Sequence, residues 1–311
     1  VSRTIVVVGS LNADLVVRTP RFPAPGETTT GTEFAVYPGG KGANQAVAAA
    51  RLGGRVVMVG CVGRDDHGRL LRASLKASEV DDGAVIDDED AATGVAVIAI
   101  DASGQNQIVL APGANRRLRP GDVERQRALI ESAVVLLLQL EVPPETVEAA
   151  ARIAHRAGIA VVLDPAPARH EALTLLPLVD FVTPNETELR ILAGVPPGPT
   201  SFDDAARMAR SLVGQGARCV IAKLGKAGAH AVSAEGEWTW PGHAVHAVDT
   251  TAAGDAWNGA FAVALAEGRT PREAGPFANA AAAISVTRAG AQPSMATRDE
   301  VEKFRAQKEK P

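Results

Sequence analysis

The chain has 311 residues, 46% hydrophobic and 22% charged, with 32 Lys and Arg against 36 Asp and Glu and a net charge of −4. That length holds one large α/β domain or two smaller ones. The composition is that of a soluble globular protein, and without a basic face nucleic acid is not expected as the main partner.

No apolar run reaches the ~18 residues of a membrane span. The start, VSRTIVVVGS, reads as a first strand and not as a signal peptide, so no membrane association and a cytoplasmic location are expected. Cys61 and Cys219 lie far apart in apolar, strand-like segments and form no cluster with the six His. Buried, reduced thiols are expected there.

Ile5–Val8 is a β-branched run followed by Gly9-Ser10-Leu11-Asn12-Ala13-Asp14. A buried strand that delivers polar residues at its carboxyl end is how open α/β sheets build sites. From 15 to 37 the character changes to short strands without a helix. Pro38-Gly39-Gly40-Lys41-Gly42-Ala43-Asn44 then opens a helix predicted over 45–52. It is not a Walker A loop, because Ala35 stands where the first Gly is needed and Gly42 replaces Ser/Thr. A close approach of ligand to backbone and a plain Gly-rich turn both fit it.

Strands over 55–60 and 80–86 flank a helix over 68–78. Gly94–Ile100 and Gln107–Leu110 are joined by Asp101-Ala102-Ser103-Gly104 and read as a hairpin. The segments 15–37 and 92–110 therefore predict a small antiparallel sheet. It stands as a lid on a catalytic domain formed by 1–14, 38–91 and 111–311.

Beyond Asp122, helices over 122–132, 145–157, 169–176 and 203–215 alternate with strands over 134–140, 159–163, 179–183 and 218–222. That pattern predicts βαβ units and a doubly wound, mostly parallel sheet. The strand ends carry Glu141, Asp164-Pro165, Thr183-Pro184-Asn185-Glu186-Thr187-Glu188 and Lys223-Leu224-Gly225-Lys226-Ala227-Gly228. With the end of the first strand, these five polar ends in register predict a site. Asn185 and Glu188 fit either a capping box or an amide and a carboxylate holding Mg²⁺ through water. Residues 223–228 fit either a phosphate contact or a β-turn.

Residues 248–260 read VDTTAAGDAWNGA. Asp249 and Asp255 bracket a run of small residues, and Trp257, Phe261 and Leu265 then mark an amphipathic helix. Uncovered amides and the helix dipole attract an anion, and Asp255 beside them suits a base for an attacking hydroxyl. A capped helix start with a tight turn fits the same residues. No G-x-G-x-x-G or G-x-S-x-G stands between strand and helix, which argues against a dinucleotide oxidoreductase and a serine hydrolase.

Gly9–Asp14, GGKGANQA (39–46), TPNETE (183–188) and DTTAAGDAWNGA (249–260) resemble the ribokinase family of carbohydrate kinases in order and spacing over almost the whole chain. PAPGET (23–28), PAPAR (165–169) and VTRAGAQPS (286–294) resemble it too. The resemblance implies a ribokinase-like fold and ATP-dependent phosphorylation of D-ribose at O5. A 2-deoxyribose kinase and a non-catalytic sugar-binding protein are the alternatives.

Asn12, Asp14, Gly40, Lys41, Asn44 and Glu141 would hold the sugar. Asp255 would be the general base, and the amides of Ala252, Ala253, Gly254 and Asp255 an anion hole. Asn185 and Glu188 would join a Mg²⁺–phosphate network. Lys223, Leu224, Gly225, Lys226 and Gly228 would lie along ATP, with Asn279 near adenine. Asp249, Thr251, Ser285, Arg288, Gly290 and Ser294 would form a K⁺ site, and the lid would make a homodimer. The chain departs from the family pattern at Ala256-Trp257, where Thr-Phe is usual, at Thr251, often aliphatic, and at Asn279, often His.

Overall fold

The computed structural model describes residues 3–308. In chain order the strands are β1 (Thr4–Val8), β2 (Asn12–Arg18), β3 (Glu33–Gly39), β4 (Arg55–Gly63), β5 (Asp81–Asp88), β6 (Gly94–Ile100) and β7 (Asn106–Ala111). They continue with β8 (Val135–Leu138), β9 (Ala160–Leu163), β10 (Phe181–Val182), β11 (Cys219–Lys223), β12 (Gly228–Ser233) and β13 (Gly236–Pro241). The helices are α1 (Lys41–Arg51), α2 (Asp66–Ala77), α3 (Pro120–Arg125), α4 (Arg127–Glu131) and α5 (Pro144–Ala157). They continue with α6 (Glu186–Leu192), α7 (Phe202–Gly214), α8 (Ala253–Ala266), α9 (Pro271–Ser285) and α10 (Arg298–Lys308).

Nine strands form the main sheet in the order β13-β12-β11-β10-β9-β8-β1-β4-β5. From β5 to β11 all pairs are parallel, and β12 and β13 add an antiparallel edge. β1 is buried along its whole length, as a strand covered by helices on both faces must be. Ile5 and Val7 pack with α1, α8 and α9 on one face, and Val6 and Val8 with α5 and α7 on the other. The chain winds away from β1 in opposite directions, through β4 and β5 or through β8 to β11. The β1–β8 boundary is therefore a topological switch point, where such sheets open a crevice.

The small sheet runs β3-β2-β6-β7. Each outer pair is antiparallel, while β2 and β6 run parallel with Asn12 opposite Gly94. Both strands leave the main body at the same end, so they have to point the same way.

Several elements differ from the sequence expectation. α1 begins at Lys41, not at 45, because Gly40 (φ 90°) turns the chain directly into it. The helix expected over 122–132 is divided at Gln126, whose ψ of 12° leaves the helical range. Residues 170–178 form 3₁₀ turns around Pro177, which has no amide for an α-helical bond. α8 is buried along Asp255–Ala264 rather than amphipathic, because α1, α9 and the sheet enclose it. Among the described residues no helix is long and apolar enough to cross a membrane.

The contact of α8 with α1 rests on Gly259. A Cβ there would stand 2.7 Å from Ala48 Cβ and 2.9 Å from Gln45 O. Gly259→Ala is expected to cost about 1–3 kcal/mol by overpacking, measured by urea denaturation. An unchanged midpoint would show that the two helices separate freely.

Candidate active site

Sequence-distant residues meet at the carboxyl ends of β1 and β8. Gly40 lets the end of β3 close onto the start of β2, since a Cβ there would lie 2.6 Å from Asn12 N. Glu141 Oε2 accepts from Ser10 Oγ at 2.6 Å, from Lys41 N at 3.2 Å and from Asn12 Nδ2 at 3.3 Å. Asn115 sets the Asn12 amide by donating to its Oδ1 at 2.8 Å, while accepting from Leu11 N at 2.9 Å.

Asp14, beside them, accepts no comparable set of donors. Burial, with the charges of Glu141 and Asp255, pushes its carboxyl up to about 7. Burial opposes the charge of Lys41, but Asp255, Asp164, Glu141 and Glu188 outweigh it and hold the ammonium above its ordinary value.

Asp255 opens α8 and is 4% exposed. Its Oδ2 accepts from Asn44 Nδ2 at 3.1 Å and its Oδ1 from Gln45 Nε2 at 3.0 Å. Burial raises the carboxyl to about 6; Lys41 and the two amides pull downward, and Asp164 adds to the rise.

No side chain caps α8, so its first amides have no intrahelical partner. Ala252 precedes it in the left-handed region at φ 57°, a conformation costing a non-glycine residue about 1–2 kcal/mol. Ala253 N leans toward Thr250 O at 3.3 Å, which leaves Gly254 and Asp255 as the clearest open donors of the four expected. Lys223 Nζ comes close here: a Cβ on Gly254 would lie 3.2 Å from it. That ammonium donates to Asp164 Oδ1 at 3.0 Å.

Asn185 and Glu188 form the capping box in full. Glu188 N donates to Asn185 Oδ1 at 2.9 Å, and Glu188 Oε2 accepts from Asn185 N at 2.8 Å. Burial and Asp164 raise the Glu188 carboxyl, against Lys223, the Asn185 amide and Lys41. Leu224 is buried, and Gly225 and Gly228 take positive φ around a 3₁₀ turn that leaves Lys226 exposed.

Asn279 is committed inside the protein. Its Oδ1 accepts from Trp257 Nε1 at 2.8 Å, and its Nδ2 donates to the carbonyls of Trp240 and Pro241 at 3.0 and 3.1 Å. Both N–H groups of its amide are thereby used inside the protein, while Oδ1 keeps one acceptor position.

Asp249 stitches two loops, its Oδ1 accepting from Thr251 N and its Oδ2 from Gly290 N, both at 2.9 Å. Burial opposes ionisation, but these hydrogen bonds keep its carboxyl below the ordinary range. Ser285 and Ser294 lie in the same region with their hydroxyls donated to nearby carbonyls. Arg288 turns its guanidinium to Glu300 at 2.6 Å, so only its backbone is left for an ion.

Ser10, Gln45, Asn115, Gln139 and Asp164 belong to the same network without having been assigned a role from sequence. Gln139 carried a signal, a lone amide inside an apolar strand. Gln45 stood within the GGKGANQA motif.

A base and an open helix N-terminus lie within one turn, at the edge of a parallel sheet. Such a place takes a proton from a hydroxyl and steadies a phosphoryl group together, as a small-molecule kinase must. The profile of pfkB family carbohydrate kinases matches residues 2–298. Ribokinase of Haemophilus influenzae is 44% identical over 97% of this chain and 98% of its own. Deoxyribokinase of Salmonella typhi is 38% identical over 93% and 94%. Ribokinase of Arabidopsis thaliana, solved in complex with ribose and ATP, superposes with a TM-score of 0.90 at 34% identity, covering 98% of this chain and 99% of that one. The chain belongs to the pfkB family of carbohydrate kinases.

The raised Asp14 carboxyl has a consequence for stability. A carboxyl held at about 7 against an ordinary 3.8 favours the fold when protonated, and that contribution is lost as pH rises through about 7. Asp14→Asn should therefore melt higher than the parent at pH 8, with the difference gone near pH 4. Equal differences at both pH values in thermal melts would remove the charge cluster as the cause.

Proposed function

We propose that this protein transfers the γ-phosphoryl group of ATP to O5 of D-ribose, giving ADP and D-ribose 5-phosphate. The observation that carries the mechanism is Asp255, buried under the uncapped start of α8 with the Lys223 ammonium beside Gly254. Asp255 accepts the proton of the 5-hydroxyl as O5 attacks phosphorus in line. The new O5–P bond forms as the bond to the β-phosphate oxygen breaks, and ADP leaves with that electron pair. The amides of Ala252, Ala253, Gly254 and Asp255 form the anion hole, with Gly254 and Asp255 foremost.

On the sugar side, Asn12 is set by Asn115, and the Asp14 carboxylate is left to accept hydroxyl donors. Gly40, Lys41, Asn44 and Glu141 complete the cup. Lys223, Leu224, Gly225, Lys226 and Gly228 line the nucleotide, and Asn279, near the adenine, braces its wall through Trp240 and Pro241.

Asn185 and Glu188 would belong to the network that holds Mg²⁺ with ATP, and the ion would supply positive charge to the phosphates. The Glu188 carboxylate fits it through water, because both its oxygens already accept from Asn185. Asp249, the Ser285 and Ser294 region, and the backbones of Thr251, Arg288 and Gly290 gather oxygen donors suited to a hard monovalent ion such as K⁺. Its field would firm the 249–255 loop.

The lid supports a homodimer. Its register puts Leu15, Val17, Phe34, Val36, Val97 and Val109 on the face away from Asp14. Phe34 and Val109 are 63% and 69% exposed there. Apolar surface of this kind marks an interaction face, and a second copy offers the matching one. Buried thiols at Cys61 and Cys219, both pushed up to about 12, suit a reducing cytoplasm.

Three outcomes are expected. ADP formation with MgATP should select D-ribose over 2-deoxyribose, fructose and adenosine and rise with K⁺ over a large organic cation. Asp255→Asn should lower kcat about 10²–10⁴-fold with ribose still bound by calorimetry; full turnover would overturn the base. Light scattering should give a dimer that Val109→Lys converts to monomer, and a monomeric parent protein would refute the lid interface.

A further inference from the structure

Gln45 and Gln139 have no exposed surface, so they reach a substrate only through other groups. Gln45 Nε2 donates to Asp255 Oδ1 at 3.0 Å and to Asp164 Oδ2 at 2.9 Å. Ionised carboxylates only accept, so the NH₂ end of the amide has to face them. The Gln45 carbonyl then turns to Gln139, whose Nε2 donates to it at 2.7 Å. This leaves Gln139 Oε1 buried without a partner. The oxygen presses on Gly9, where a Cβ would stand 2.0 Å away. Two apolar side chains of similar shape would leave no orphaned oxygen, so the amide pair is costly unless its orientation is used.

What that orientation controls is the pair of aspartates. Asp255 gives Oδ1 to Gln45 and Oδ2 to Asn44. Asp164 gives Oδ2 to Gln45 and Oδ1 to Lys223. One amide group thus joins the carboxylate at the sugar to the lysine beside Gly254.

We propose that Gln45 is a positioning residue for phosphoryl transfer. It pins the Asp255 carboxylate through Oδ1, leaves Oδ2 directed with Asn44 toward the sugar, and ties it to Asp164 and Lys223, while Gln139 locks the amide the right way round. This rests on Asp255 being the base. Charged groups acting on Asp255 come from three other elements: Lys41 at the start of α1, Asp164 after β9 and Asp14 in β2. Gln45 and Asn44 are the neutral donors among them, and Gln45 alone also reaches Asp164.

The test is steady-state kinetics from pH 5 to 9 on Gln45→Leu, Gln139→Leu and Asp255→Asn. Gln45→Leu should lower kcat about 10²-fold, the scale of a misplaced reacting group, with the ribose and ATP KM values nearly unchanged. Its acid limb of kcat/KM should move to higher pH, because a donor favouring the ionised carboxylate is gone. Gln139→Leu should lower kcat less and leave the limb in place, since Gln45 keeps both acceptors; it also serves if Gln45→Leu does not fold. A parental kcat in both glutamine variants, or a Gln45→Leu limb that does not move, overturns the inference. If Asp255→Asn also retains turnover, the base reading itself has failed. If only Asp255→Asn is inactive, the base stands and the positioning role alone falls.

Discussion

A carboxylate shielded from water has to be held as an anion by its surroundings, and at Asp255 several elements share that task. Lys41 and Asn44 approach from α1, Gln45 donates from the next residue, and the aspartate itself lies in the first turn of α8. Burial, with Asp164 adding to it, works in the opposite direction and leaves the group at about 6 instead of deep in the acid range. A base for a sugar hydroxyl works best at such a setting. The sheet topology makes the meeting possible: β1 and β8 diverge at the switch point, and α1 crosses above them with its first turn in the opening. The left-handed Ala252 fits the same requirement, because it brings uncapped amides to the edge of the crevice.

Glu141 and Asp14 show how two carboxylates in one crevice come to differ. Glu141 is supplied with donors from Ser10, Lys41 and Asn12, so its orientation is fixed before any ligand arrives. Asp14 lacks such a supply and is crowded by Glu141 and Asp255. An acceptor short of donors favours a polyhydroxy ligand, whose hydroxyls provide what the protein withholds. The glycines between β3 and α1 are part of this economy of space: a Cβ on Gly39 would run into the Asp14 carboxylate.

The parallel strands are legible because each is a short apolar run with polar residues at its carboxyl end, and the small second sheet because its strands lack intervening helices. α8 was misread as amphipathic since its small residues look permissive on any face; burial all round depends on α1 and α9, which lie far away in sequence. The helix start at Lys41 was hidden by the glycines, which usually signal a turn. Asp255 and the small residues before it were visible as a motif, whereas Asn115 was not, because an isolated amide says nothing of the loop it will clamp. Asp164 is visible as a polar strand end, whereas Gln45 acquires meaning only when folding places its amide between two aspartates.

Trp257 and Asn279, two departures from the family pattern, turn out to be one interaction. A buried indole N–H needs an acceptor, and Asn279 Oδ1 supplies it at 2.8 Å. The same amide then has its N–H groups facing the Trp240 and Pro241 carbonyls, joining α8, α9 and the end of β13. Trp257 stacks on Phe261 with ring centroids 4.9 Å apart, and Trp240 lies against Gly275, where a Cβ would be 2.1 Å from the indole. The indole on α8 is thus matched by an amide on α9, and the Trp240 indole at the end of β13 by Gly275 of α9. The packing of α8 against α9 and β13 is braced from within, and the helix that carries Asp255 is anchored two residues beyond it.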